Sequence, residues 1–209
     1  MSHIITSRIL RIDLGNGRVS TDTIDDSDVQ RYLLGSGLAA KLYYDEMDQG
    51  IDPLHPANPL MAFSGLLTGT FAPTGCRSSW CGRSPLTGIW NEANMGGHWG
   101  AELRFAGFDG LIVTGKAAEP VYLWIHDGTA EIKPAGHLWG LDHFDTFERL
   151  RAETDPKAQL SCIGPAGENL VGFASVMQGG QDHARTAGRG GMGALLGSKN
   201  LKALVVRGK

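Results

Sequence analysis

The chain has 209 residues, 42% of them apolar, and a formal net charge of -3. That length carries enough apolar surface to close a core in one large domain or two small ones, while the slight negative charge supplies no general attraction to nucleic acid or to an anionic membrane surface. Residues 1–11 mix polar, charged and apolar side chains and lack the apolar run of a signal peptide or membrane span, so a cytoplasmic protein is expected.

Residues 9–14 and 18–24 alternate apolar and polar on either side of Asn16-Gly17, the dipeptide of a tight primed turn, which predicts a β-hairpin. Asp25, Asp26 and Ser27 offer capping oxygens ahead of the helical spacing of Val29, Tyr32 and Leu33, and a second helical pattern runs from Gly35-Ser36-Gly37 through Tyr44. Residues 60–63, 110–114, 121–126 and 160–163 read as short strands bounded by Gly, Pro or Asp. A helix is expected from about residue 100 to 106, and an amphipathic surface helix over 142–153. Strands outnumber helices without a regular alternation, and there is no Pro/Ser-rich linker. Both facts point to one α+β domain over residues 1–209 rather than a doubly wound sheet.

Glycine is the anomalous residue: 30 are present, against a usual share of about 7%. They cluster between apolar runs, as expected where backbone lines a ligand or takes positive φ, although an all-turn β protein has the same composition. Gly100-Ala101-Glu102-Leu103 and Gly193-Ala194-Leu195-Leu196 start 93 positions apart, and the same register sets residues 111–116 on 204–209. The pattern predicts a duplicated unit of strand, glycine loop, glycine-opened helix and a strand ending in Gly-Lys, with chance likeness of glycine-rich segments as the alternative. Two such loops would supply two similar phosphate-binding helix ends.

Cys76, Cys81 and Cys162 form no close-spaced ligand pair, and neither do His98, His126, His137 and His143, so no metal is assigned to protein ligands. Neither glycine region is a Walker A loop or a dinucleotide fingerprint. In the first, Arg77 has the chemistry of a bidentate phosphate clamp and Asn94 that of a cation-positioning group, although Arg77 alone fits a surface ion pair equally.

Four motifs in fixed order resemble the tungsten-dependent aldehyde:ferredoxin oxidoreductases: Gly69-Thr70 to Gly75-Cys76-Arg77; Ser84-Pro85-Leu86-Thr87-Gly88; Gly164-Pro165-Ala166-Gly167-Glu168-Asn169; and Ala187-Gly188-Arg189-Gly190-Gly191 to Gly197-Ser198-Lys199-Asn200-Leu201-Lys202-Ala203. The likeness spans residues 8–208. It implies an N-terminal domain of two β-sheets with internal pseudo-twofold symmetry, carrying a bis-pterin cofactor of tungsten or molybdenum whose two phosphates are bridged by magnesium. The matching cofactor positions are Arg77, Asn94 and Gly96 in one half and Arg185, Thr186 and Gly188 in the other, with the backbone carbonyls of Asn94 and Thr186 toward magnesium. Arg83 stands where lysine is common in the family, and Ser36 where arginine is often found.

The same resemblance implies further C-terminal domains, or a separate catalytic subunit, carrying a 4Fe-4S cluster, the substrate channel and the acid/base residues, with ferredoxin as electron partner. No catalytic residue is expected in this chain, and it is expected to be either an excised domain or a stand-alone subunit. A non-catalytic pterin-binding or scaffold protein is the competing reading, and an unrelated phosphate-binding domain a third. The repeat predicts Arg77 and Arg185 on one concave face related by an approximate twofold axis. Trp80, Trp90 and Trp99 are candidates for an exposed apolar surface that drives self-association into a homo-oligomer or requires a partner, with core packing as their alternative role.

Overall fold

The computed structural model describes residues 7–47, 50–181 and 183–208. Met1 to Thr6, on which part of the signal-peptide argument rested, and Lys209, the last residue of the expected Gly-Lys end, lie outside them. The first half contains β1 (Ser7–Asp13), β2 (Arg18–Ile24), α1 (Asp26–Tyr32), α2 (Ser36–Glu46), β3 (Leu60–Ser64), β4 (Ser78–Arg83), β5 (Trp90–Met95), α3 (Trp99–Phe105) and β6 (Gly110–Thr114). The second contains β7 (Val121–His126), β8 (Thr129–Pro134), α4 (His143–Glu153), β9 (Gln159–Cys162), α5 (Pro165–Glu168), β10 (Val176–Gln178), β11 (Arg185–Ala187), α6 (Met192–Ser198) and β12 (Leu201–Arg207).

Read from matching edges, the two six-stranded sheets run β2-β1-β6-β3-β4-β5 and β8-β7-β12-β9-β10-β11. They correspond strand for strand, down to the one parallel pair in each, β1 with β6 and β7 with β12. The architecture is therefore the expected α+β pair of duplicated sheets. The duplication is larger than the repeated sequence, because the opening hairpins β1–β2 and β7–β8 correspond as well.

Side-chain alternation sorts the strands into layers. Leu10, Ile12, Leu60, Ala62, Trp80, Leu111 and Val113 of the first sheet face Leu123, Ile125, Leu204 and Val206 of the second, with Trp99 and Leu103 of α3 and Met192, Leu195 and Leu196 of α6 in the same core. The opposite face of the first sheet, through Ile9, Met61, Phe63 and Ile112, packs on Val29, Leu38 and Leu42. That of the second, through Tyr122, Leu160 and Val205, packs on Phe147 and Leu150 of α4. Central strands covered on both sides read as continuous apolar runs, which is why residues 110–114 stand out in the sequence.

Local expectations fare unevenly. The 142–153 helix is α4, capped by Asp142, whose carboxylate accepts from Asp145 N at 2.9 Å. The first hairpin forms, but its connection is a four-residue loop in which only Gly17 takes positive φ (71°), so the primed Asn-Gly turn is not made. Asp13 organises that loop instead, accepting from Gly15 N and Asn16 Nδ2, each at 2.8 Å. Residues 78–83 and 90–95, for which no strand was expected, are paired strands, as are 176–178 and 185–187.

The three tryptophans do not form an exposed patch. Trp80 and Trp99 are fully buried with ring centroids 5.0 Å apart, and Trp99 Nε1 donates to Leu204 O of the other sheet at 3.1 Å. Trp90 is half-buried against Tyr43. Between two sheets an indole offers large apolar area and one donor that must find an acceptor, which the facing strand supplies. Exposed apolar side chains among the described residues include loop residues, Leu67 and Phe71 before β4, Leu86 and Ile89 between β4 and β5, Leu170 and Phe173 before β10, and helix residues such as Tyr44 and Phe105.

Two of the four motifs serve packing. A Cβ on Gly197 would collide with Gly167 O, so glycine is what lets α6 approach α5. Lys199, fully buried, donates to Pro56 O (2.8 Å) and Gly115 O (3.4 Å) of the first half. Lys202 pairs with Glu168 in the interior and donates to Leu141 O at 2.8 Å.

Candidate functional site

The edge strands β5 and β11 lie against each other, so the end of one sheet meets the end of the other. Asn94 sits opposite Ser79 of β4, and Thr186 opposite Met177 of β10. The strand correspondence thus relates Asn94 to Thr186, and Gly96 to Gly188, each two residues further on. It does not relate the two arginines. Arg77 directly precedes β4 whereas Arg185 opens β11, so the strand correspondence covers the strands and the glycines but does not make the two arginines equivalent positions.

Arg77, Asn94, Arg185, Thr186 and Gly188 are exposed and Gly96 is half-exposed. Arg77 Nη1 donates to Asn94 Oδ1 at 3.0 Å, and Ser79 Oγ donates to Glu92 Oε1 at 2.8 Å beneath. Arg185 Nη1 donates to Ala184 O at 2.9 Å. Among the described residues neither arginine has a carboxylate partner, in contrast to Arg11, Arg104 and Arg207, which are all ion-paired. Each exposed guanidinium group without a carboxylate partner is a donor suited to phosphate. The Thr186 hydroxyl donates to Val176 O at 3.1 Å.

The glycines fall into two kinds. Gly97 (φ 100°) and Gly190 (φ 68°) take conformations that other residues avoid, and a Cβ on either would run into Gln178 or Asn91. Gly96 and Gly188 are not among the positive-φ residues. A Cβ on Gly96 would meet nothing within 4 Å, and one on Gly188 only the Thr186 side chain at 3.4 Å. Neither the backbone nor the fold requires glycine there. Open space over a glycine is what close approach of a ligand demands, so these two positions pass a test of fit that Gly97 and Gly190 do not address.

Side chains cross between the halves at this junction. Gln178 of β10 is 2% exposed, and with its amide oriented as its neighbours require it accepts from His98 N (2.8 Å) and Trp99 N (3.1 Å) and donates to Gly96 O (3.2 Å). Asn91 Nδ2 of β5 donates to Arg189 O at 3.3 Å. Ser84, buried at the end of β4, donates to Gly190 O (2.7 Å) and accepts from Leu86 N and Thr87 N, which accounts for the Ser-Pro-Leu-Thr-Gly motif. Gln178 thereby occupies the Trp99 amide at the start of α3, and in α6 Gly193 N donates to Ala174 O at 2.8 Å. Each helix end thus gives one of its first amides to the protein itself. Sequence reasoning missed Gln178 and Asn91, for which the only signal was their position beside glycine-rich segments.

No group of three or more His, Cys, Asp or Glu among the described residues is placed to hold a metal ion. Cys76 is exposed beside Arg77, whereas Cys81 and Cys162 are buried and burial pushes both thiols up, Cys162 to about 12. His143 is buried rather than exposed; its Nδ1 lies 3.0 Å from Cys162 Sγ and its Nε2 meets Gly179 O, with burial pulling its pKa down. No helix among the described residues is long and apolar enough to cross a membrane.

The fold is thus a duplicated two-sheet α+β domain with paired glycine loops and two arginines that lack a carboxylate partner among the described residues. The model of the aldehyde ferredoxin oxidoreductase N-terminal domain matches residues 9–208. The chain is 47% identical over 202 residues to a tungsten-containing aldehyde ferredoxin oxidoreductase of Pyrococcus furiosus, covering 96% of this chain and 33% of that protein. It is 33% identical to the WOR-like subunit of an aliphatic sulfonate oxidoreductase from the same organism, covering 96% and 34%. Among solved structures it matches a chain of the active-site complex BamBC of benzoyl coenzyme A reductase, bound to 1,5-dienoyl-CoA, with a TM-score of 0.93, 40% identity and coverage of 97% and 31%. The chain belongs to the aldehyde ferredoxin oxidoreductase family, as its N-terminal domain. It spans about a third of the length of these relatives.

Proposed function

We propose that residues 1–209 form a single domain that cradles a bis-pterin cofactor of tungsten, or of molybdenum, for an oxidoreductase whose remaining machinery lies in further domains or in a separate subunit. Arg77 and Arg185 would each hold one terminal phosphate of the pterins by charge-assisted hydrogen bonds. Gly96 and Gly188 leave room for the phosphates to reach the backbone, and the carbonyls of Asn94 and Thr186 would face a magnesium ion between them. When bound, the tungsten centre supplies the redox chemistry; this domain binds it, orients it and covers one side of it. With the rest of the assembly, which would carry a 4Fe-4S cluster, the reaction is the interconversion of an aldehyde and a carboxylic acid with ferredoxin as electron partner, in the cytoplasm.

The observation that carries this reading is the pair of uncompensated arginines beside glycines that neither φ nor packing explains. The test is cofactor retention. Cofactor-free chain is incubated with pterin cofactor released from a tungsten enzyme and with magnesium, and the pterin that co-elutes on gel filtration is measured. Wild-type chain retains it, and Arg77→Ala or Arg185→Ala weakens retention by about tenfold or more. A wild-type chain that retains none, or variants that retain it unchanged, would end the proposal.

A further inference from the structure

Each half of the molecule sends one amide side chain into the glycine loop of the other. Gln178, from the second sheet, holds Gly96 O together with the amides of His98 and Trp99, and packs on Gly97. Asn91, from the first sheet, holds Arg189 O and packs on Gly190. The gripped glycines Gly97 and Gly190 lie 93 residues apart, the offset that separates the helices behind them, while the strands before them, with Asn94 and Thr186, are offset by 92. The gripping residues do not share that relation: one stands on β10, the other on β5, and β10 corresponds to β4. Duplication of a unit accounts for the loops but not for the amides that hold them.

We infer that Gln178 and Asn91 are positioning residues for the cofactor, a crossed clasp that sets the two phosphate loops at one separation. The inference rests on the reading above, in which both loops hold one ligand. Gln178 spends three of the four hydrogen bonds an amide can make on the turn between Gly96 and α3, so the peptides from Gly96 to Trp99, just beyond Asn94, take their orientation from the opposite sheet. On the other side Asn91, with Ser84 on Gly190 O, fixes the turn directly after Gly188. A ligand that spans both loops needs their spacing more than either loop's own shape. Ties within one sheet cannot set that spacing, and ties across the junction do.

The consequence is a crossed response, which a residue that merely stabilised its own sheet would not give. The experiment is amide NMR on this chain, following hydrogen exchange and the shifts induced by magnesium pyrophosphate as the probe. Gln178→Met, close in shape but unable to accept, is expected to speed exchange at His98 and Trp99 by about tenfold. It should also weaken probe-induced shifts at Asn94 and Gly96 while those at Arg185 to Gly188 persist. Gln178→Glu keeps the acceptor and should restore exchange protection at His98 and Trp99 without restoring the grip on Gly96 O. Asn91→Leu should give the mirror image, with Gly188 and Gly190 disturbed and the first loop spared. If the disturbance stays within the variant's own hairpin while the wild type still answers the probe, the clasp is overturned and the cradle stands. If the wild type answers the probe at neither loop, the cradle reading fails and the positioning role with it; unchanged exchange at His98 and Trp99 in Gln178→Met would remove the clasp by itself.

Discussion

The two halves share strand order and a glycine-opened helix, yet at equivalent places behind that helix their polar chemistry is reversed. Asp109 and Lys202 are 93 residues apart. Asp109 meets Arg104 Nε at 3.0 Å with both side chains partly exposed (14% and 24%), while Lys202 and Glu168 are sealed at 0% and 4%. Three residues earlier, Ala106 corresponds to the buried Lys199, and between them Gly107 (φ 97°) corresponds to Asn200 (φ 56°), both at positive φ. Duplication has conserved backbone geometry, and the depth of each position has decided how strongly its charge must be matched.

The largest effect should come from the buried pair. Lys202→Met leaves Glu168 as an unpartnered interior charge and is expected to cost about 3–5 kcal/mol, whereas Asp109→Asn at the equivalent position should cost about 1 kcal/mol. Denaturant titration of both variants measures the contrast; equal costs would mean that depth is not what separates the halves. Adding Glu168→Gln to Lys202→Met should recover much of the loss, because the desolvated charge is then gone.

Lys199 sharpens the comparison through pH. Burial pulls its ammonium down to about 7, against an ordinary 10.5, with Asp13 opposing. Between those values the unfolded chain binds more protons than the folded one, so this residue's contribution to stability rises with pH, by up to about 1.4 kcal/mol per unit. It is at its least favourable below pH 7. Lys199→Met lacks the titration, so the stability of the variant relative to wild type should fall as pH is raised from 7 toward 10. A difference that stays constant over that range would place the folded-state titration elsewhere.

The smallest effect is expected at the candidate site. Arg77→Ala and Arg185→Ala remove exposed side chains without carboxylate partners and should move the thermal midpoint by about 2 °C or less, while cofactor retention drops. A large loss of stability from either would make that arginine a structural residue of its own half.

By itself the sequence determined the local elements and the existence of the repeat. The strands at 110–114 and 121–126 and the helix behind Asp142 follow from apolar runs, turn residues and a capping carboxylate, which act over a few residues and survive in any tertiary setting. The edge strands were hidden: β5 reads Trp-Asn-Glu-Ala-Asn-Met and β11 has three residues, so neither carries the apolar run of a central strand. Only the tertiary structure decided that Trp80 and Trp99 face inward, that Gln178 takes the Trp99 amide at the start of α3, and that Lys199 of the second half reaches Pro56 of the first. The physical reason is common to all three. Burial and hydrogen-bond partnership at the junction depend on segments some 80 to 140 residues apart in sequence meeting in space, and no periodicity or spacing within one segment records what another will bring to it.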